Sequence, residues 1–329
     1  MRIELSKASK IIIKLGSSII DNPDEMIINR ICASIAQFLK ENKEVILVTS
    51  GAISQGMKVM DIQNKPKDIK KLQSLAAVGQ QKLMLMYEKI FSEHEFQTAQ
   101  VLITHNDIND RVRYLNIKGT LEELLNNGVI PIINENDVVS TEEIKFGDND
   151  NLASMIANLV DADLLIILTD QKGMYDKNPD SYKDAKLINS IGIEDLKDFD
   201  SDFSTQSEIG TGGFITKIQA AKRAALSNTY TVIANGLEKN ILNNILANCN
   251  AGTLFIPSEK KISAKKQWLD TTDSRGSIII DDGACKAISD NNSLLLVGVS
   301  AVEGYFEKGD VIQCMDSNHS CIAKGIVNY

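Results

Sequence analysis

Long hydrophobic runs, closely paired cysteines and clustered histidines are all missing from this sequence. No window approaches the roughly 18 consecutive apolar residues that a membrane helix needs, and lysines interrupt the short apolar runs near the N-terminus. The 5 cysteines are scattered without the spacing of zinc or redox motifs, and the 3 histidines lie far apart. We therefore expect a soluble protein of the reducing cytoplasm, without a membrane contact or a metal centre built from its own side chains.

Basic residues are also fewer than acidic ones. The chain has 35 Lys and Arg against 44 Asp and Glu, a net charge of -9 and a sequence pI of about 5.0. Such a molecule exerts no long-range attraction on nucleic acid or on an anionic membrane. An anionic ligand must therefore be held by local groups.

The familiar single-segment nucleotide motifs are absent as well. The sequence contains no GxxxxGK[ST] loop and no GxGxxG fingerprint. It also lacks the GxSxG elbow that carries the nucleophile of α/β-hydrolases. A phosphate site in this chain must therefore be assembled from separate segments.

The chain does contain short, β-rich apolar runs that alternate with helical patterns. Runs of this kind are typical of strands buried on both faces, and the βαβα alternation predicts a parallel sheet covered by helices. The predicted strands are residues 11–16, 44–51, 99–104, 128–134, 162–170, 229–236 and 252–257. Ligands of such sheets bind at the carboxyl ends of the strands.

A change of texture near residue 258 predicts a second domain. A polar, lysine-rich stretch follows the last predicted strand, and short strand-like runs punctuated by Gly, Asn and Asp come after it, which predicts a small all-β module. We place a catalytic domain at residues 1–257, a linker at 258–274 and the β module at 275–329.

Polar residues follow several of the predicted strands. Lys14 lies near the end of the first and precedes small residues, Ser50 lies near the end of the second, and Asn134 ends the fourth, with Asp137 three residues later. Lys14 and Ser50, each taken alone, also fit structural roles as an edge lysine and a helix N-cap, and that alternative stays open. The dense polar run after the fourth strand favours a binding site.

The stretch KFGDNDNL, residues 145–152, places two carboxylates and two carboxamides together before a helical pattern. Asp148 or Asn149 can cap that helix, but a cap explains one polar residue and not four. The other groups can orient lysines, arrange Mg²⁺ through water, or accept the ammonium group of an amino acid.

A glycine cluster precedes Lys217 and a further helical pattern, which favours an anion nest. Together with Lys14, this second lysine indicates phosphoryl transfer, because that reaction needs cationic groups in contact with the anionic phosphoryl group. We expect Lys217 and Asp150 to lie in a solvated cleft.

Seven blocks together resemble the amino acid kinase family, in particular its members that phosphorylate glutamate. They are KLGSS (14–18), VTSGAISQG (48–56), LAAVGQQKL (75–83), VIPIINENDVV (129–139), KFGDNDNLAS (145–154), LLIILTDQKGMY (164–175) and GTGGFITKIQAA (210–221). The tail resembles the PUA domain that many of these members carry. The resemblance implies an open, mostly parallel α/β sheet sandwiched between helices, then a small β-rich PUA-like domain that is incomplete at its C-terminus.

The resemblance also implies the reaction and the residues that perform it. The reaction is ATP-dependent phosphorylation of the γ-carboxylate of L-glutamate, with Mg²⁺, as the first step of proline biosynthesis. The implied catalytic residues are Lys14, Lys217 and Asp150. Glutamate would contact Ser50, Asn134, Asp137, Asp148 and Asn149. ATP would contact Lys14, Thr169, Asp170, Thr211, Gly212, Gly213, Phe214, Ile215, Thr216 and Lys217.

Two alternative functions stay open beside this reaction. A kinase of the same family acting on another acidic acceptor is the first alternative. The second, RNA binding by the tail, is disfavoured because residues 258–329 hold 8 Lys and Arg against 10 Asp and Glu. The resemblance further implies a homo-oligomer and a functional coupling to glutamyl phosphate reductase.

Overall fold

The computed structural model describes residues 5–139, 149–177, 179, 181–196, 213–258, 269, 274–289 and 293–328. The chain forms two compact units. One takes in Met1–Thr104 and Lys118–Ile262, and the other takes in His105–Ile117 and Ser263–Tyr329. The domain boundaries drawn from the sequence stay predictions, since most of the proposed linker lies outside the described residues.

An eight-stranded sheet forms the centre of the first unit. Its strands are β1 Lys10–Leu15, β2 Glu44–Val48, β3 Thr98–Ile103, β4 Ile130–Glu135, β5 Leu164–Thr169, β6 Ser190–Gly192, β7 Tyr230–Asn235 and β8 Thr253–Ile256. Their spatial order is β3-β4-β2-β1-β5-β7-β8-β6. Neighbouring strands are parallel except for the antiparallel pair β7 and β8. The predicted mostly parallel sheet is therefore confirmed, and β6 is a short strand that the sequence analysis missed.

Helices connect these strands, as the alternating pattern predicts. They are α1 Ser17–Ile20, α2 Met26–Lys40, α3 Ala52–Val59, α4 Ile69–Ser92, α5 His105–Asn109, α6 Arg111–Asn126, α7 Asn149–Leu159, α8 Gly213–Ala225 and α9 Ile241–Leu246, and a short 3-10 helix, Leu5–Lys7, precedes β1. Among the described residues, no helix combines the length and the apolar character that crossing a membrane requires.

The two faces of β1 have different neighbours, because successive side chains of a strand point in opposite directions. Ile11, Ile13 and Leu15 belong to a buried cluster with apolar residues of α2, α4 and α9. Lys14 bonds to a side chain of α7, a helix that packs on β1 and β5 and against α8. The alternation thus directs one lysine of an otherwise apolar strand toward the helices that carry the site.

Helices α3 and α4 approach so closely that their backbones touch. A Cβ atom on Gly79 would lie 1.8 Å from the carbonyl oxygen of Ala52, and one on Gly56 would lie 1.9 Å from that of Leu75. Only glycine fits at either position. This contact sets the position of the residue that follows Gly79 along α4, Gln80.

The second unit contains a four-stranded sheet, formed by β9 Gly276–Ile280, β10 Val299–Gly304, β11 Val311–Met315 and β12 Cys321–Ile326. The spatial order of these strands is β10-β9-β11-β12. The module is β-rich but not all-β, because Asp282–Ser289 forms a helix, α10. The carboxylate of Asp281 accepts a hydrogen bond from the amide of Ala284 at 2.7 Å, which caps the helix start. That acidic cap is the signal that the strand-like interpretation overlooked.

Candidate active site

The candidate residues of the first unit gather at one edge of the sheet. Strands β4, β2, β1 and β5 are consecutive neighbours and parallel, so their carboxyl ends meet at the same edge. Asn134 and Lys14 lie near the ends of β4 and β1, Thr169 ends β5, and Ser50 follows β2 by two residues. This is the edge at which open α/β sheets bind ligands.

A single carboxylate at this edge joins two lysines from distant parts of the chain. Nζ of Lys14 lies 2.6 Å from Oδ1 of Asp150, and Nζ of Lys217 lies 2.9 Å from Oδ2 of the same group. The hydroxyl of Thr216 donates to that Oδ2 at 3.0 Å. Strand β1, the first turn of α7 and the second turn of α8 supply the three charged residues.

This cluster is buried, which corrects the expected solvated cleft. Lys14 and Asp150 are only 4% and 3% exposed, and the Lys217 side chain is 12% exposed. Burial by itself raises the pKa of Asp150, but the two ammonium groups outweigh it and lower that pKa to about 2. Asp150 is therefore ionised at neutral pH. The buried position follows from α7, whose first turn packs directly on β1.

The cluster holds two ammonium groups close together at the ligand-binding edge of the sheet. Paired ammonium groups at such an edge favour an anionic ligand. A phosphate group suits these two lysines, because an ammonium group is a compact donor that can bond to phosphate oxygens from many directions.

Gly16 keeps the space beside the Lys14 ammonium group open. Its amide donates to the carbonyl of Leu168 at 3.1 Å, which ties the end of β1 to β5. A Cβ atom at this position would lie 3.3 Å from that carbonyl oxygen and 3.8 Å from Nζ of Lys14. Any larger side chain would therefore intrude on the approach of an anion to this lysine.

Next to the charged cluster lies a group of buried amides. Nδ2 of Asn149 contacts the carbonyl oxygen of Thr49 at 2.8 Å, Oγ of Ser50 at 3.0 Å and Oδ1 of Asn134 at 2.9 Å. Asn149 is the first residue of α7 and directs its side chain across to β2 and β4. Asp148, the other residue suggested as the cap of this helix, lies outside the described residues, and the capping suggestion stays a prediction.

Two residues of this region were not singled out from the sequence. Oε1 of Gln80 accepts a hydrogen bond from Nδ2 of Asn134 at 2.8 Å, and the hydroxyl of Tyr87 bonds to that of Thr49 at 2.8 Å. Both lie on α4, one of the helices that the alternating pattern predicts to cover the sheet. The sequence signal was the polar pair after Gly79 inside an otherwise amphipathic pattern.

The other predicted site residues are placed as follows. Asp137 follows β4 and is partly exposed, and the hydroxyl of Thr169 donates to the carboxylate of Asp170 at 3.0 Å. Gly213 begins α8, and within that helix Phe214 is buried while Ile215 is 43% exposed. Asp148, Thr211 and Gly212 lie outside the described residues.

The donor set fits a phosphate ligand better than a resident metal ion. Among the described residues, no group of three or more His, Cys, Asp or Glu side chains is placed to hold a metal. Both oxygens of Asp150 already bond to ammonium groups. A divalent cation at this edge would therefore be held mainly by phosphate oxygens and water, as Mg²⁺ commonly is.

Comparison with sequence families agrees with this arrangement. Residues 9–235 match the model of the amino acid kinase family, and residues 276–329 match that of the PUA domain. The glutamate 5-kinase of Marinomonas sp. (strain MWYL1) is 44% identical over 335 residues, covering 100% of this chain and 90% of the relative. The glutamate 5-kinase of Janthinobacterium sp. (strain Marseille) is 45% identical and covers 99% of this chain and 89% of the relative.

Solved structures share the fold of the first unit. Carbamate kinase from Giardia lamblia bound to AMP-PNP has a TM-score of 0.53 at 19% identity, covering 77% of this chain and 100% of that structure. UMP kinase from Bacillus anthracis has a TM-score of 0.51 at 15% identity, with 76% and 96% covered. At these identities the likeness is one of fold alone.

Proposed function

Because this chain belongs to the amino acid kinase family, we propose that it acts as a glutamate 5-kinase, transferring the γ-phosphoryl group of ATP to the γ-carboxylate of L-glutamate. Relatives that carry this name are 44% and 45% identical over nearly the whole chain. The product would be L-glutamyl 5-phosphate, and the reaction would begin proline biosynthesis.

One observation supports this chemistry more than any other: Asp150 holds Lys14 and Lys217 on its two oxygens. Phosphoryl transfer from ATP to a carboxylate brings two anions together, so catalysis requires alignment and charge neutralisation. Ammonium groups fixed in a buried place provide both without reorganising when the substrates arrive.

In the proposed reaction, an oxygen of the glutamate γ-carboxylate attacks the γ-phosphorus of ATP. The new bond joins that oxygen to phosphorus, the bond to the β,γ-bridging oxygen breaks, and ADP leaves. The carboxylate is already a nucleophile, so no general base has to remove a proton. Mg²⁺, when bound with ATP, neutralises phosphate charge.

Each part of the chain then has a role. Lys14 would stabilise the transferred phosphoryl group, with Gly16 leaving room for it, and Lys217 would stabilise the charge that develops toward ADP. Asp150 orients both lysines. The segment from Gly213 to Lys217, together with Thr169 and Asp170, would contact ATP.

The amides beside the lysines would bind the acceptor. The cluster of Ser50, Asn134 and Asn149 offers several closely spaced polar atoms next to the charged triad. Asp137, which follows Asn134, would accept the α-ammonium group. An amide-rich cluster with a carboxylate on one side and the two lysines on the other suits an amino acid whose reacting end is a carboxylate.

A hydroxamate assay tests the proposal, since hydroxylamine traps an acyl phosphate as it forms. We expect trapped product only when L-glutamate, ATP and Mg²⁺ are all present. A panel of other acidic acceptors, including aspartate, N-acetylglutamate and carbamate, tests the alternative within the family. Faster turnover of any of these than of L-glutamate would reject the proposed substrate.

The proposal extends to surroundings and partners. The five cysteines are free thiols, which a reducing cytoplasm would preserve. The enzyme would work as a homo-oligomer, which light scattering on the purified protein tests. Its acyl phosphate product hydrolyses readily, so coupling to glutamyl phosphate reductase would protect it, and a faster combined flux than the separate rates allow would support that coupling.

A further inference from the structure

A chain of hydrogen-bonded amides runs through the candidate acceptor site with a fixed direction. Oδ1 of Asn134 accepts from the backbone amide of Glu135 at 2.9 Å and from Nδ2 of Asn149 at 2.9 Å. Because a backbone amide can only donate, Oδ1 must be the accepting end of Asn134. Its Nδ2 must then donate, and it does so to Oε1 of Gln80 at 2.8 Å.

The same direction is set from the other end. Nδ2 of Asn149 donates to the backbone carbonyl of Thr49 at 2.8 Å, and a carbonyl can only accept. The two backbone groups therefore orient every carboxamide between them. The consequence is that Gln80 contributes its oxygen to the chain and keeps its Nε2 group as the final donor.

That final donor has no hydrogen-bond partner in the described part of the protein. Gln80 is 8% exposed, so water does not readily supply one. Buried amide donors in native proteins are nearly always paired, and an unpaired one next to a binding site indicates a group that a ligand satisfies. Gln80 is thus the last residue of an oriented chain of amides, and its Nε2 group can donate a hydrogen bond to an oxygen of a ligand.

We propose that Nε2 of Gln80 donates a hydrogen bond to the α-carboxylate of the amino-acid substrate, which makes Gln80 a specificity residue of the acceptor site. The proposal rests on the proposed function. The reacting γ-carboxylate must lie beside the lysines on Asp150, the neighbour of Asn149. Gln80 is at the far end of the amide chain from Asn149, so the second carboxylate of the substrate is the group it would meet.

A competing explanation gives Gln80 a structural role only, as a support for Asn134. The two explanations predict different results for Gln80→Glu. This variant keeps an oxygen that accepts from Asn134 but replaces the free donor with a second oxygen, which repels a carboxylate. The variant Gln80→Met keeps the approximate volume and removes both polar ends. Gln81, the next residue, is exposed, and Gln81→Met serves as the matched control.

The experiment measures steady-state rates with L-glutamate and ATP varied separately, and thermal stabilisation by ATP as a check on folding. We expect Gln80→Glu to raise the KM for L-glutamate by about 10- to 100-fold, the loss typical of a hydrogen bond to a charged group. The KM for ATP and the stabilisation by ATP should change less than about twofold, and Gln81→Met should match the wild type.

A wild-type KM for L-glutamate in Gln80→Glu, with a raised value in Gln80→Met, would show the structural role and overturn the proposal. Equal increases in the KM for L-glutamate and for ATP in Gln80→Glu would also overturn it. A wild-type protein that fails to phosphorylate L-glutamate would instead reject the proposed function. The two failures are therefore distinguishable.

Discussion

The ammonium group of Lys14 lies 2.6 Å from Oδ1 of Asp150, and both side chains are buried. This ion pair joins the end of β1 to the first turn of α7. It fixes a cation at the carboxyl edge of the sheet before any substrate binds. A group held in this way contributes to transition-state stabilisation without the cost of being ordered during the reaction.

The second lysine of the cluster gives the first prediction. We expect Lys217→Ala to lower kcat by a factor on the order of 100 or more, because a preorganised charge on the transferring group is lost. The fold should persist, since the Lys217 side chain lies nearest to solvent of the three charged groups, at 12% exposure. Steady-state kinetics and circular dichroism measure the two effects.

A control on the same helix sharpens this test. Lys222 lies in the last turn of α8, and in the described part of the chain the ion pairs of Asp150 are with Lys14 and Lys217. Lys222→Ala should leave kcat within about twofold of the wild type, because its charge lies more than one helical turn from Lys217. Similar losses in both variants would indicate damage to the helix, and near wild-type kcat in Lys217→Ala would reject the assigned role.

Asp150→Asn should be destabilised at neutral pH as well as inactive. Removing the carboxylate leaves two poorly solvated lysines without their shared partner, and breaking a buried pair in this way costs about 3 kcal/mol. Denaturant unfolding at pH 7 measures the loss. An unchanged free energy of unfolding would show that the ion pairs add nothing to stability.

The pH dependence of that difference has a defined sign. The pKa of Asp150 is about 2 in the folded protein against an ordinary value of 3.8, so ionised Asp150 contributes stability above the ordinary value. The contribution is lost as the pH falls through the folded pKa. The stability gap between the wild type and Asp150→Asn should therefore be constant above pH 5 or so and close as the pH approaches about 2. A gap that widens toward acid would contradict the assigned charge state.

Substitution by alanine should have opposite effects on stability at Gly79, which lies in the contact between α3 and α4, and at Gly119, which lies in α6. Gly79→Ala should destabilise the protein by about 1–3 kcal/mol, because the new methyl group meets backbone atoms that cannot yield. Gly119 is an exposed glycine within α6, and no atom of the described residues lies within 4 Å of a Cβ placed there. Gly119→Ala should therefore be neutral or stabilising by about 0.5–1 kcal/mol. Thermal unfolding compares them, and equal effects would refute the packing argument.

We predict that the C-terminal tail, residues 258–329, does not bind RNA through a basic surface. Residues 258–329 carry 8 Lys and Arg against 10 Asp and Glu, so they lack the excess of positive charge that binds a phosphate backbone. Filter binding with a structured RNA at low and moderate salt should detect no complex at low micromolar protein. Binding in that range that weakens steeply with salt would contradict this prediction.

The sequence predicted the parallel sheet well because its strands are continuous apolar runs, a pattern that few other structures produce. It also brought Lys14, Asp150 and Lys217 together correctly, since each follows or precedes a predicted element at the binding edge. The short edge strand β6 was missed because three residues carry no recognisable periodicity. The capped helix α10 was missed because strand-like apolar residues surround it.

Burial and hydrogen-bond direction could not be predicted from the sequence. The depth of Asp150 depends on how α7 packs on β1, which is a tertiary property. The role of Gln80 depends on the contact between α3 and α4 and on backbone groups of Thr49 and Glu135, which are far apart in the chain. Sequence patterns indicate where polar residues lie but not which of their atoms stay without a partner.

Trapping the acyl phosphate with hydroxylamine, for the wild type and Lys217→Ala side by side, tests the central claim most directly. The account predicts that the wild type forms glutamyl hydroxamate with L-glutamate, ATP and Mg²⁺, and that the variant forms it at least about 100-fold more slowly. Hydroxamate formation at equal rates by both proteins, or none by the wild type, would contradict it.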